Sequence, residues 1–213
     1  MHNTIKITNN DDWLIERNKG IGGSDAGAIL GLNPFKSNVD LWEEKTGKKA
    51  ASDVSDKDAV IYGKKAEEPL RMLFMLDNPQ YTLEYHPFDI LQSIENPYIQ
   101  GTLDGVLIDS EGNKGILEIK TCEIKNNIQW RNWDNKIPDY YYAQILHYMA
   151  LDPEFKFVIL TAQIKNNGNK VTRAYEFKRC DCIDDINYLI QEEATFWGHV
   201  QSGSKPPLKL PEV

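Results

Sequence analysis

Cysteine is scarce. The chain holds three, Cys122, Cys180 and Cys182, in 213 residues, too few for a disulfide framework and suited to a reducing compartment. Long apolar runs are missing as well: nothing approaches the roughly 20 residues that a bilayer span needs. The opening MHNTIKITNNDDW has no basic segment followed by an apolar one, so no secretory signal is expected. Internal repeats and low-complexity tracts are absent. Positive charge is in deficit, 24 Lys and Arg against 32 Asp and Glu, for a net charge of -8. That total argues mildly against a polyanionic partner. A basic cleft on an acidic body, or metal ions between carboxylates and a nucleic acid, would remove the objection. What remains is 41% hydrophobic and 26% charged, an ordinary globular composition that excludes disorder, collagen and coiled coil. A single soluble domain spanning 1–213, cytoplasmic and without a membrane partner, is the expectation.

Capping and periodicity divide the chain. Ser24 before AGAIL and Gly31 after it predict a short helix with Ser24 as its N-cap. Ser37 and Asp40 ahead of LWEEKTG, with Gly47 as the stop, repeat the pattern. Ala66, Leu70, Leu73 and Phe74 recur at helical spacing and predict a helix over about 59–76. Strand-like segments follow at 81–91 (mixed), 99–108 (β-rich) and 115–122 (alternating). Between the last two, Ser110-Glu-Gly112 suits a three-residue hairpin loop with Gly112 left-handed. A helix over 139–151, a strand pair at 155–164 and 171–177 around 166–169, and a last helix over 183–201 complete the order. The segment 48–57 reads as a surface loop and KPPLKLPEV as an irregular tail. The fold class is α/β or α+β, with a mixed central sheet flanked by helices.

The chemistry concentrates in Gly101-Thr-Leu-Asp-Gly-Val-Leu and Gly115-Ile-Leu-Glu-Ile-Lys-Thr121. Strand alternation projects Glu118 and Lys120 from one face and Leu117 and Ile119 from the other. In the proposed hairpin, residues whose numbers sum to about 222 pair directly, which sets Asp104 opposite Glu118. Opposed carboxylates destabilise a sheet, and a hard divalent cation between them would reverse the sign. Lys120 adds a fixed positive charge beside the pair. Metal, two carboxylates and an ammonium group suit attack of water on a phosphodiester. Solvated polar residues on an exposed hairpin face would show the same spacing.

These segments resemble the core of the PD-(D/E)xK nucleases, with Gly-Thr-Leu-Asp in place of the nominal Pro-Asp. The chain as a whole resembles the YqaJ-type viral recombinases of the phage lambda exonuclease family, over about residues 12–165, with the helix and tail of 183–213 beyond. The resemblance implies a restriction-endonuclease-like core and a 5′→3′ exonuclease acting on double-stranded DNA ends. It implies Mg²⁺, which Mn²⁺ can replace, held by Asp104, Glu118, the Ile119 carbonyl and Glu67. It also implies a toroidal homotrimer and a RecT- or Redβ-like single-strand annealing partner. Only three cysteines are available, so the iron–sulfur branch of that superfamily is not expected.

Further segments carry the same resemblance. Arg17-Asn-Lys-Gly-Ile-Gly-Gly-Ser24-Asp25 reads physically as a glycine-rich approach to a helix N-terminus, where backbone N–H groups favour an anion and Arg17 offers a bidentate partner. A tight turn with ordinary capping is the alternative. The family role for Arg17 and Ser24 is the 5′-terminal phosphate of DNA. In Gly63-Lys-Lys-Ala-Glu67-Glu68, the two glutamates lie about 100° apart on a helix, and family spacing selects Glu67. Tyr140, Gln144 and His147 share a helix face. Gln144 takes a supporting catalytic role by resemblance, whereas His147 reads as structural or DNA-contacting, and Tyr141, Ile145 and Tyr148 as core. Trp130 and Trp133, with Lys136, fit either DNA contact or packing on the sheet. An endonuclease of the same fold and a non-catalytic DNA-end-binding module are the alternatives.

Overall fold

A computed structural model describes residues 1–50, 54–166 and 168–210, without the side chains of 127 and 128. The chain runs β1 (His2–Ile5), α1 (Asn10–Arg17), α2 (Gly23–Ile29), α3 (Asn38–Lys45), α4 (Asp58–Asp77), β2 (Thr82–Glu84), β3 (Ile90–Ser93), β4 (Gln100–Gly101), β5 (Gly105–Ile108) and β6 (Lys114–Ile124). It continues with α5 (Asn127–Arg131), α6 (Asp139–Leu151), β7 (Phe155–Asn166), β8 (Asn169–Lys178) and α7 (Ile183–Ser202). Two sheets form. The larger has the order β2-β5-β6-β7-β8, with β6 and β7 parallel and the other neighbours antiparallel. The smaller has the order β1-β3-β4. This is the mixed central sheet that the element order predicts.

Alternation along β6 decides the layers. Leu117 and Ile119 join Phe157 and Ile159 in packing against Ala66, Leu70 and Phe74 of α4. The opposite face of the sheet packs on α6 through Val158, Leu160, Ala162, Ile145 and Met149. A third apolar cluster ties α2, α3 and α7 together through Ile29, Leu41, Trp42 and Phe196. The helices α4 and α6 therefore sandwich the strand that carries Glu118 and Lys120.

The hairpin register is the expected one: Gly105 faces Leu117 and Ile108 faces Lys114. Its loop closes through Asp109 N–H to the Asn113 carbonyl at 3.1 Å, and Gly112 has φ +84°, where a side chain would be strained. Other expectations are corrected. The β-rich run 99–108 is not one strand, because β4 pairs in the smaller sheet and β5 in the larger. The crossing at 102–104 has no ladder, so its polar groups are held from outside. Trp13 Nε1 donates to Thr102 Oγ1 at 2.8 Å, and Arg71 Nε donates to the Asp104 carbonyl at 2.8 Å. The run 81–91 likewise splits, β2 into the larger sheet and β3 into the smaller.

Ser24 is not the cap of α2. Gly22 precedes the helix, and Asp25 Oδ2 accepts its N–H at 3.0 Å, leaving the Ser24 hydroxyl free for another contact. The elements β1, α1 and α5 carry no strong periodic signal, and α1 buries none of its residues. The tail is irregular through 210 yet fastened: Asn38 Nδ2 donates to the Pro207 carbonyl at 2.8 Å, and Lys209 N–H donates to Asn38 Oδ1 at 3.0 Å. Residues 51–53 of the expected loop, Asn167 of the 166–169 turn, and 211–213 of the tail lie outside the described residues. No described helix is long and apolar enough to cross a membrane.

Candidate active site

The gap between the sheets is where the titratable groups meet. Because β5 starts only at Gly105, Asp104 stands one step beyond the last ladder pair, and its side chain turns inward. Its Oδ2 accepts the Ile119 N–H at 2.7 Å, an interaction with the backbone of β6 that no residue pattern reveals. On the same strand, Lys120 Nζ lies 2.5 Å from Glu118 Oε1. Gln144, from α6, donates through Nε2 to that same Oε1 at 2.8 Å. Glu67 comes from α4 on the other side of the gap, while Glu68 points to solvent. All five of these side chains, with Arg17 and Ser24, line one cavity. The structure thus brings every side chain selected from the sequence to one cavity, and of the two glutamates it is Glu67 that lines it.

Arg17 Nη2 donates to Ser24 Oγ at 3.0 Å, and the guanidinium stacks 4.8 Å from the Trp13 ring centroid. Next to them, Asp25 is neutralised by Lys45 Nζ at 2.9 Å. Burial works against the Asp25 charge, but Lys45 and Arg17 outweigh it and hold its carboxyl below the usual range.

The electrostatics of the centre are unbalanced. Burial pushes Glu118 up to about 7, against the pull of Lys120 and with the help of Asp104 and Glu67. Burial also raises Asp104 and Glu67, and the charge of Asp104 adds to the rise at Glu67. Burial opposes the charge of Lys120, yet Glu118 and Asp104 prevail and raise its pKa. Glu118 Oε2 is buried with no hydrogen-bond partner, and leaving such an oxygen bare is costly. Among the described residues, no three His, Cys, Asp or Glu side chains are grouped so as to hold an ion by themselves. The donors suit Mg²⁺ nevertheless, because that ion takes one or two protein carboxylates and completes its shell with water and substrate oxygens. The bare Glu118 oxygen and the mutual repulsion of the carboxylates both fit a divalent cation.

Three residues depart from their sequence reading or were not anticipated. Tyr148 is buried, as a core residue should be, but its hydroxyl accepts from Gln144 Nε2 at 2.7 Å and donates to the Thr102 carbonyl at 3.3 Å. Its i, i+4 spacing from Gln144 was the available signal. The ring is wedged between glycines: a Cβ on Gly23 would stand 2.6 Å from Tyr148 Cε1, and one on Gly101 would stand 3.2 Å from Tyr148 Cδ1 and Cε1. Trp13 and Arg71 brace the crossing that carries Asp104, and neither stood out in the sequence. His147 turns away from the cavity. It is fully buried between Glu193 Oε1 at 2.6 Å and the Gln100 carbonyl at 2.7 Å, so it ties α6 to α7 and β4. Trp133 is buried in the core, and Trp130 lies under Arg173 at 4.6 Å. Neither tryptophan lines the cavity.

Comparison with known proteins adds three findings. A family model described as the YqaJ-like viral recombinase domain matches residues 12–152. A protein of Bacillus subtilis (strain 168), YqaJ, itself uncharacterized, is 34% identical over 199 residues. That match covers 92% of this chain, which spans only 58% of the relative's length. The fold is that of an alkaline exonuclease from Laribacter hongkongensis, LHK-Exo, with a TM-score of 0.69 and 12% identity over 92% of this chain and 94% of that one. The structure of LHK-Exo in complex with dAMP matches with a TM-score of 0.68 and 14% identity over the same shares.

Proposed function

The chain belongs to the YqaJ-like viral recombinase domain family, and on that premise we propose that it is a Mg²⁺-dependent deoxyribonuclease that digests double-stranded DNA ends 5′→3′, leaving 3′ single strands for phage-type recombination. One observation carries the reading: Asp104, Glu118 and Lys120 share a cavity with a guanidinium–hydroxyl pair, Arg17 and Ser24. An exonuclease of the same fold supports it.

Asp104, Glu118 and the Ile119 carbonyl would hold the divalent ion, Mg²⁺ or Mn²⁺ in its place, with Glu67 assisting. Bound there, the ion supplies Lewis acidity, making water nucleophilic near neutral pH and offsetting charge on the phosphate oxygens. Lys120 keeps its proton because its carboxylate neighbours raise its pKa. It therefore acts as a fixed positive charge that positions the water and stabilises the pentacovalent phosphate. Gln144 fixes the Glu118 carboxylate by donating to it, and Tyr148 in turn holds Gln144. Arg17 and Ser24 grip the 5′-terminal phosphate through charge-assisted hydrogen bonds. Family membership also underlies the remaining parts of the proposal: a toroidal homotrimer, a RecT- or Redβ-like annealing partner, and a cytoplasmic setting.

One gel assay tests the core of this. Linear duplexes with 5′-phosphate or 5′-hydroxyl ends and a covalently closed circle are incubated with Mg²⁺ and then with a chelator. The expected outcome is rapid loss of the phosphorylated duplex, slower loss of the hydroxyl form, an intact circle, and no reaction with chelator. A cut circle would identify an endonuclease instead. Binding of the ends without hydrolysis would identify a DNA-end-binding module.

A further inference from the structure

Beyond the carboxylates, the α4 face of the sheet, opposite to the one from which Glu118 projects, carries an excess of positive charge around a single carboxylate, Glu123. Lys165 on β7 and Lys170 on β8 are direct cross-strand partners, and like charges so placed destabilise a sheet. Both converge on Tyr62 of α4. Lys165 Nζ lies over the ring, and Lys170 Nζ stands 5.3 Å from its centroid and donates to its hydroxyl at 3.3 Å. The tyrosine hydroxyl in turn donates to Gln163 Oε1, which fixes the ring and, through cation–π attraction, the two ammonium groups. Lys125 lines the same depression, where Glu123 is the one carboxylate. Among the described residues, none of Lys64, Lys125, Lys165 and Lys170 forms an ion pair.

This surface leads to the catalytic cavity. Adjoining Tyr62 on α4, Gly63 and Lys64 face Thr121 across a groove whose other lining residues include Glu67, Ile119 and Lys120, and these three also line the cavity. The helix approaches closely there, since a Cβ on Gly63 would lie 3.3 Å from Thr121 Oγ1. Arg17 and Ser24 line the cavity but not the groove. The spatial order is thus the guanidinium–hydroxyl pair, the carboxylates, Lys64, and then the opposed lysines.

We propose that this lysine route seats the phosphodiester backbone of the DNA strand under hydrolysis, on the 3′ side of the scissile bond. The assignment rests on the nuclease reading above. Lysines act on phosphate as point charges and read no base, which suits an enzyme that must pass any sequence. A run of phosphates also supplies the counter-charge that the single carboxylate of Glu123 leaves wanting beside three lysines. With the 5′ phosphate at Arg17, this route gives the rest of the strand a positively charged way out of the cavity.

The experiment compares wild type with two double charge reversals, Lys165→Glu/Lys170→Glu on the route and Lys156→Glu/Lys178→Glu at the far, exposed end of the same strands. Fluorescence anisotropy of a long 5′-phosphorylated duplex is measured in chelator over a range of salt. Losing two phosphate contacts should flatten the slope of log affinity against log salt by roughly two and weaken low-salt binding at least about tenfold. The far-end variant should bind as wild type does, and with Mg²⁺ the route variant should raise KM while keeping kcat. Equal losses in both variants overturn the proposal. So does an unchanged slope in the route variant, which is also what an acidic protein partner at this surface would give. Hydrolysis is scored separately: wild type that binds through the route without cleaving sinks the nuclease reading and leaves the DNA surface standing. Cleavage by the route variant with wild-type KM sinks the route alone.

Discussion

Helix α6 carries two buried polar constellations three residues apart, and they differ in what they still require. At His147, one imidazole meets one carboxylate and one carbonyl, all sealed from solvent. Burial disfavours the imidazolium, but Glu193 more than restores it and raises the His147 pKa. At Gln144, three carboxylates face one lysine and the edge of Arg71, and the group opens into a cavity. Each constellation leaves one carboxylate oxygen bare, on Glu193 and on Glu118. The distinction therefore lies in net charge and access. A balanced, closed network serves the fold, whereas an over-charged, open one is arranged for something that arrives.

The contrast can be broken at either end. The largest effect is expected from Glu118→Gln, which should lose about a thousandfold in Mg²⁺-dependent hydrolysis while melting within a few degrees of wild type. Retained hydrolysis by this variant would remove the site from function. His147→Ala should do the reverse, costing about 3–5 kcal/mol because Glu193 is left buried and alone. Denaturant unfolding measures that loss, and kcat per folded molecule should stay near wild type. A matching fall in kcat would show that the two networks are one.

The smallest effect separates them by pH. The Glu118 pKa is raised above its unfolded value, so the folded state binds the extra proton and stability falls as pH rises from about 4.5 towards about 7. The His147 pKa is raised too, so its contribution is present below about 6.5 and fades as pH climbs through the folded value. Both therefore favour the acid side, but Mg²⁺ should restore only the share of the carboxylates. Calorimetry should show Mg²⁺ raising the melting temperature at pH 8, by the equivalent of roughly 2.7 kcal/mol at a hundredfold excess over Kd, and hardly at pH 5.5. Equal shifts at both pH values would contradict the assignment of Glu118.

What the sequence made legible follows the range of the interactions. The register of the β5–β6 hairpin, Gly112 in its loop and the span of α6 all depend on neighbours within a turn or a ladder, and they were readable. The crossing at 102–104 was not, because apolar alternation runs through Leu103 unbroken while the chain changes sheets. Ser24 looked like a cap because its residue type favours that place, but the carboxylate of Asp25 holds Gly22 instead. Glu67, Asp104, Glu118, Lys120 and Gln144 were selected largely through resemblance to a family. The Ile119 N–H bond to Asp104 and the Tyr148 hydroxyl contacts depend on atoms and distances that residue order does not encode.

The wedging of Tyr148 between two glycines has a consequence for heredity. A survey of tolerated substitutions across this gene would find Gly23 nearly as immutable as the acids, and Gly101 restricted to the smallest side chains, although neither does any chemistry. Gly23→Ala would drive a methyl into the Tyr148 ring behind Gln144, and Gly101→Ala would displace Leu151 and press the same ring at 3.2 Å, so part of what looks like a signature of activity would be a record of crowding.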